Sequence, residues 1–451
     1  MRFHSPQAQL AMVLAYVMVL AGVAGVTTPC VLAATGHAAA VAAYAGSWRQ
    51  AITAAAGIVG AVAANVAGVR RVLWVGSAAG VACSAVLLAG AYGRAGASGV
   101  IAVLAVENAG RTIATVGAVA VLLTYPREQR KARALAAFQF AVNLSLTLGQ
   151  VTVLAKRVDA HAAAWARVVC SVAAAGVATF VVPASAVVRD SGVYVDVARA
   201  RGVWSEARLL AVGGWRVGLA ATYVFAAPFA LGTLGIALPD GASVALYNAG
   251  ALGVVALGAA LDVGAARRRV RGLVGLAISS AVVAACVIAM AVLRSVGRTQ
   301  EPGNQAPLFY ASVVLNGLAV SCVFLFSGWI IGSLTNDVAH TARLVGTHLH
   351  TMPALGSLAA AAALYHARGM DGKPPLAYPM YIGAALLAAA SAGMVFVVNQ
   401  ITDTNNWSLP RVGGDEADVS TDLAELSAGS EHTTTVFADH SSISKHHAIY
   451  A

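Results

Sequence analysis

Charge is what this 451-residue chain has least of: Asp, Glu, Lys and Arg make up 11% of it, against 59% hydrophobic residues. A soluble domain carries about 25% charged residues, and less than half of that cannot clothe a water-exposed globule of this size. With a mean hydropathy of +0.75, the composition is that of an integral membrane protein. Cysteine is also scarce, and five in the whole chain exclude a disulfide-stapled scaffold. Aromatics at 7% are few for the girdles of a lipid-facing barrel, whereas 45 glycines suit closely packed helices. No phosphate-cradling P-loop, nucleophile elbow, HExxH pair or pair of catalytic carboxylates is found. A pump driven by ATP and a hydrolase both lack their parts, so the chain reads as a non-enzyme with no cofactor and no metal.

What charge there is has a pattern. The segment from Gln400 onward holds eight acids and two bases, and its negative balance offsets part of the larger positive excess of the residues before it, leaving +10 for the chain. Those bases sit singly or in short runs between apolar stretches, which is how topology signals are arranged, and not on one face as in a nucleic-acid binder. The bilayer is therefore an expected partner and nucleic acid is not.

A helix needs about 20 apolar residues to cross the hydrocarbon core. Twelve stretches qualify, at 8–34, 50–68, 72–93, 99–124, 134–155, 166–188, 209–233, 243–266, 272–293, 308–334, 341–365 and 378–399. The first is too long for a signal peptide and carries Pro29 where cleavage would fall, so it reads as a retained helix. With both termini in the cytosol, Lys and Arg favour the cytosolic connections by roughly two to one. The expected organisation is an all-α bundle of about twelve transmembrane helices. Its parts are an N-terminal six-helix half (1–188), a cytosolic linker (189–208), a C-terminal six-helix half (209–399) and a disordered acidic tail (400–451). A weak repeat supports the division, because Pro29 answers to Pro228, and Asn65-x-x-Gly68-x-Arg70-Arg71 answers to Asp262-x-Gly264-x-x-Arg267. Two parallel six-helix halves are the architecture of major-facilitator transporters.

Intramembrane charge is costly and faces a cavity or a partner. Glu107 and Arg111 stand four apart on one helical face and are expected to pair. They either line a central cavity or neutralise each other against neighbouring helices. Arg216 either meets Glu107 across the halves or snorkels to the cytosolic surface; snorkelling is the reading adopted. Asn108, Asn248 and Asn316 complete the candidate cavity, with Asn143 and Gln150 as further intramembrane amides. Asn65, Arg70, Arg71, Asp262 and Arg267 are candidate latch residues at span ends. Pro29, Pro228 and Pro353 should kink their helices. Gly76-x-x-x-Gly80, Gly214-x-x-x-Gly218 and Gly328-x-x-x-Gly332 should allow close helix approach. His340, His348 and His350 do not have the spacing of a metal site on one helical face.

The Asn65–Arg71 stretch resembles the major-facilitator loop motif, which latches the two halves during alternating access. Gly25-x-x-x-Pro29, Phe326-Ser-Gly-Trp-Ile-Ile-Gly-Ser-Leu334 and Ala342…Gly346…Leu355-Gly356-Ser357 are similar to patterns of the equilibrative nucleoside transporters. That family's Trp-Asn after the first-helix proline is replaced here by Cys30-Val31, which removes groups that face substrate. In overall character the chain resembles the herpesvirus envelope-protein family encoded by unique-long gene forty-three. The resemblance implies a multi-pass protein of the virion envelope and host membranes, with other viral envelope proteins as partners and transport lost or vestigial. The alternative implied by the transporter motifs is facilitated or proton-coupled movement of a small polar solute such as a nucleoside.

Overall fold

The computed structural model describes residues 5–35, 47–94, 96–126, 130–154, 159–183, 186–187, 203–211, 215–236, 241–262, 266–296, 306–335, 337–369 and 377–401. Every regular element among them is helical. Successive helices are α1 (Pro6–Thr35), α2 (Ser47–Ala67), α3 (Val69–Ala91), α4 (Ala97–Thr124), α5 (Lys131–Leu154) and α6 (Ala160–Thr179). A short α7 (Val203–Ala211) precedes α8 (Trp215–Thr233), α9 (Gly241–Ala251), α10 (Val254–Leu261), α11 (Arg268–Val296) and α12 (Ala306–Leu334). The chain continues through α13 (Val338–Leu344), a π-turn (Val345–Thr351), α14 (Met352–Gly369) and α15 (Ala377–Asn399). Nine of the described helical stretches are long and apolar enough to cross a bilayer, and Pro6–Leu20 and Val217–Thr233 are shorter apolar pieces. Each of the twelve expected spans has a helical counterpart. Most of the linker and nearly all of the tail lie outside the described residues.

Several boundaries differ from expectation for identifiable reasons. The sixth helix starts at Ala160 and stops at Thr179, because Asp159 caps its first turn and Pro183 cannot continue it. The eighth span is broken in two. Leu252 and Gly253 donate to the carbonyls of Ala249 and Gly250, the tighter i→i−3 pattern that ends one helix before α10 begins. The eleventh span is the least regular. Pro353 has no N–H to give to the preceding turn, and the helix accommodates this with the π-turn over Val345–Thr351. Pro228 lies inside α8, and position 29 lies inside α1, its side chain outside the described residues.

Small residues set the packing distances. A Cβ added to Gly76 would lie 2.5 Å from the Ala114 Cβ, and one added to Gly117 would lie 2.5 Å from a Val72 methyl, so α3 and α4 are in near backbone contact. Gly328 and Gly332 are filled by Leu135 and by Leu123 with Lys131 in the same way. Gly218 meets nothing within 4 Å, so the third glycine pair is not a packing site at that end. Gly68 does a different job. Its φ of +85° turns the chain from α2 into α3 in one residue, with open space around it.

Candidate functional site

The chain reverses with each span, so the α2–α3, α4–α5, α10–α11 and α12–α13 connections share one end of the bundle, the arginine-rich face. Here the first six spans meet the last six through polar contacts. Asn65, near the end of α2, donates its amide to Glu206 Oε2 (2.8 Å) and to the Ala339 carbonyl of α13 (3.1 Å). Arg343, in the last turn of α13, donates to the same carboxylate in a fork, Nε to Oε2 at 2.8 Å and Nη2 to Oε1 at 3.0 Å. The Glu206 side chain is 2% exposed, so three segments distant in sequence close over one charge. Burial alone would raise this carboxyl, but the hydrogen bonds from Arg343 and Asn65 and the charge of Arg343 hold it below the ordinary value. Asp337 fixes α13 for this contact by capping the Ala339 and His340 amides.

A second contact joins the halves on the same face. Asp262, the residue that ends α10, accepts from the backbone N–H groups of Ala132 (3.2 Å) and Arg133 (2.7 Å) at the start of α5. The unpaired amides and positive end of that helix suit a carboxylate. Burial nevertheless pushes the Asp262 carboxyl up to about 6, against the lowering effect of the two amides and of Arg133 and Arg271. Beside it the buried Lys131 ammonium donates to the Gly332 carbonyl of α12, and Arg271 donates to the Leu261 carbonyl (2.8 Å). Asn65 and Asp262 thus both sit at contacts between the two sets of helices. Arg70, Arg71 and Arg267 are exposed and stand outside them.

The expected pair of Glu107 with Arg111 does not form. Glu107 is bonded instead to Arg167 of α6, with the Cys83 thiol 3.5 Å from the same guanidinium. The reason is geometric: α6 begins six residues earlier than the apolar run suggested, which carries Arg167 into the bundle beside α4. Asn108 is also taken up locally, donating to the Arg49 carbonyl (3.2 Å) and Thr53 Oγ1 (3.0 Å) of α2. Asn248 donates to its own helix at Val244 (2.8 Å). Asn316 is different, because its buried Oδ1 has no hydrogen-bond partner. The Arg216 side chain lies outside the described residues.

Sequence reasoning passed over Glu206, Arg343, Arg167 and Lys131. Arg167, at the very start of the stretch 166–188, was within reach: Asp159 is a helix-capping residue one position before an apolar run, which sets Arg167 inside the span. No local signal marks Glu206 or Arg343, whose partner lies 137 residues away.

Between the two faces, α2 crosses the π-turn with almost no separation. A Cβ at Gly57 would stand 2.6 Å from the Gly346 carbonyl oxygen, and Gly346 is equally crowded by Gly57. Thr351 Oγ1 bonds the Ala54 carbonyl (2.9 Å) and the Gly346 carbonyl (3.0 Å), tying the π-turn to α2. The turn presents two histidines to different surroundings. His348 bonds Thr347 Oγ1 (2.8 Å) and the Val217 carbonyl (3.1 Å) beside a cleft among α8, α12 and α15 with room for about one water. His350 faces α12, its ring edge-on to Phe324 at 6.5 Å, and Phe324 stacks on Phe138 of α5 at 6.4 Å.

No protein-family model and no curated protein matches this chain. Its fold is similar to that of the human organic anion transporter MFSD10 (TETRAN), with a TM-score of 0.56 and 13% identity over 88% of this chain and 99% of that one. The Escherichia coli fucose:proton symporter FucP (N162A) gives a TM-score of 0.55 and 13% identity over 89% and 100%. A bacterial homologue of the iron transporter ferroportin, in an outward-facing state, gives 0.60 and 12% over 89% and 100%. The chain therefore has the all-α, multi-pass fold of major-facilitator transporters.

Proposed function

We propose that this protein is an alternating-access carrier of a small polar solute, held here with its arginine-rich face closed. The observation that carries this reading is the polar seam that joins the two sets of spans on the arginine-rich face. Among the described residues, Asn65, Asp262, Lys131 and Thr351 make side-chain hydrogen bonds between the first six and last six spans, from the arginine-rich face to the middle of the bundle. In this proposal residues 1–188 and 209–399 rock against each other about linker 189–208, and the tail from 400 stays in water. The excess of Lys and Arg puts the closed face and both termini in the cytosol.

A second reading is favoured by the local consumption of Glu107, Asn108 and Asn248, which removes polar groups from any cavity. In it the protein is a component of virion envelopes and host membranes, as the herpesvirus resemblance implies, and acts through other envelope proteins on a transporter-derived scaffold. One experiment separates the two. Full-length protein in liposomes is offered radiolabelled uridine and L-fucose, beside a Glu206→Gln, Asp262→Asn variant. Saturable uptake by the wild type, altered in the variant, supports the carrier. Absence of uptake from well-folded protein overturns it and leaves the partner reading.

A further inference from the structure

Seven bases gather around the Asp262 contact. Residues 130–133, at the start of α5, hold three of them, and residues 267–271, at the start of α11, hold four. The two segments come together because Asp262, five residues before Arg267, accepts from the Ala132 and Arg133 amides. Arg130, Arg133, Arg267 and Arg269 are exposed, whereas Lys131, Arg268 and Arg271 are buried. Both helices begin here, so the positive ends of their dipoles add to the side-chain charge. The patch also spans the seam, with α5 from the first six spans and α11 from the last six. The end of α15 is tied to the same place. Arg269 Nε donates to Asn399 Oδ1 at 2.8 Å, the Gln400 and Ile401 amides bond back to Val397 and Val398, and Ile401 is buried. The chain therefore leaves the bundle beside these arginines.

The geometry points to an intramolecular dock, in which the acidic stretch 412–431 of this chain lies across the arginine patch at the starts of α5 and α11. That stretch carries six acids and no base, and five of the acids fall within 415–425. They stand 14 to 24 residues past Ile401. A coil of that length spans roughly 20–30 Å, and packed helices stand about 8–10 Å apart. The acids thus reach the ends of the two or three nearest helices, which is where the arginines are. Exposed ion pairs are weak one at a time and are screened by salt. Here several act together, and the covalent link at Ile401 supplies an effective concentration of about a millimolar. An acidic peptide so placed touches α5 and α11 at once and joins the two sets of helices from outside. The inference goes beyond the carrier reading and does not depend on it.

The experiment uses the full chain in phosphatidylcholine nanodiscs, with its five native cysteines replaced by alanine and spin labels at Ser420→Cys and Val270→Cys. In about 0.1 M salt a population of label distances below about 30 Å is expected. In about 1 M salt, where charges are screened beyond about 3 Å, it should give way to longer and broader distances. Two sets of substitutions should each abolish it in low salt: Asp415→Asn with Glu416→Gln and Asp418→Asn, and Arg267→Gln with Arg269→Gln. A distribution equally broad in both salts overturns the inference, as does a short population that survives either set. A second measurement needs no label. In low salt a glutamate-specific protease should cut the wild-type chain at Glu416 and Glu425 roughly threefold or more slowly than it cuts the Arg267→Gln, Arg269→Gln variant, because cleavage follows the undocked population. Equal rates overturn the inference. If the wild type shows no short population, yet retains phosphatidylglycerol through these arginines, the patch serves anionic headgroups and the acidic stretch is not its partner.

Discussion

Glu107 and Arg167 leave water together when α4 packs on α6, and each then depends on the other. Removing one partner strands a charge in a low-dielectric interior, which costs about 3–5 kcal/mol, whereas replacing both by apolar groups is often close to neutral. Arg167→Leu or Glu107→Gln alone should therefore sharply lower the unfolding temperature of the purified protein. The pair Glu107→Leu, Arg167→Leu should recover most of the loss, and Arg111→Ala should cost less than either single change. Asp262 carries a pH dependence of the opposite kind to a salt-bridged acid. Its carboxyl is raised to about 6 from the ordinary 3.8, so between those values the folded state holds a proton that the unfolded chain has released. Stability from this group is thus greatest in acid and falls as pH rises through about 6. The gap in unfolding temperature between wild type and Asp262→Asn should change across pH 4–7 and level off above it. A constant gap would show that Asp262 does not titrate there.

Helices are the scale at which the sequence spoke most clearly, and the reason is physical. A span must satisfy its own backbone and present about 20 apolar residues to lipid, so existence and order follow from composition. Interruptions are harder to read, because they depend on what crosses the helix. Pro353 signalled an irregularity, yet the π-turn seven residues long sits before it, where Gly57 and Thr351 decide how the freed carbonyls are met. Gly250 and Gly317 show the same dependence. Each faces the other helix's backbone so closely that a Cβ would overlap a carbonyl of Val314 or Tyr247. Gly317→Ala should force α9 and α12 apart and cost about 1–3 kcal/mol as overpacking. Gly218→Ala, which meets open space, should be tolerated or slightly stabilising. Equal unfolding temperatures for the two variants would contradict this account.

For the molecule as a whole, what matters is that buried polar contacts join the two halves on the arginine-rich face. Glu206 comes from α7, outside the spans, and joins α2 to α13. Its bonds form above the ordinary carboxylate range and are lost as pH falls through its lowered pKa. Spin labels at exposed Arg70→Cys and Arg267→Cys, in a background free of native cysteines, should report one narrow distance in the wild type. With Glu206→Gln and Asp262→Asn the distribution should broaden toward longer distances; an unchanged distribution would show that these contacts do not hold the face shut. This level of organisation was the least legible beforehand. Asn65 and Asp262 drew notice through their loop patterns, but their partners are a carboxylate, two backbone amides and a backbone carbonyl up to 274 residues away, and no local rule encodes such a meeting.

The crossing of Gly57 and Gly346 has a consequence for how this chain can change over time. Every glycine codon is one base substitution from an alanine codon, and an alanine-rich, arginine-over-lysine composition points to a GC-rich gene in which that exchange is readily made. Across most of the helical surface such drift is silent. At these two positions one added methyl group is a wedge driven between the halves at mid-membrane, so a pair of hydrogen atoms is among the least replaceable parts of the molecule. Tolerance to mutation in this protein should be mapped by the distance between backbones, and not by the chemistry of side chains.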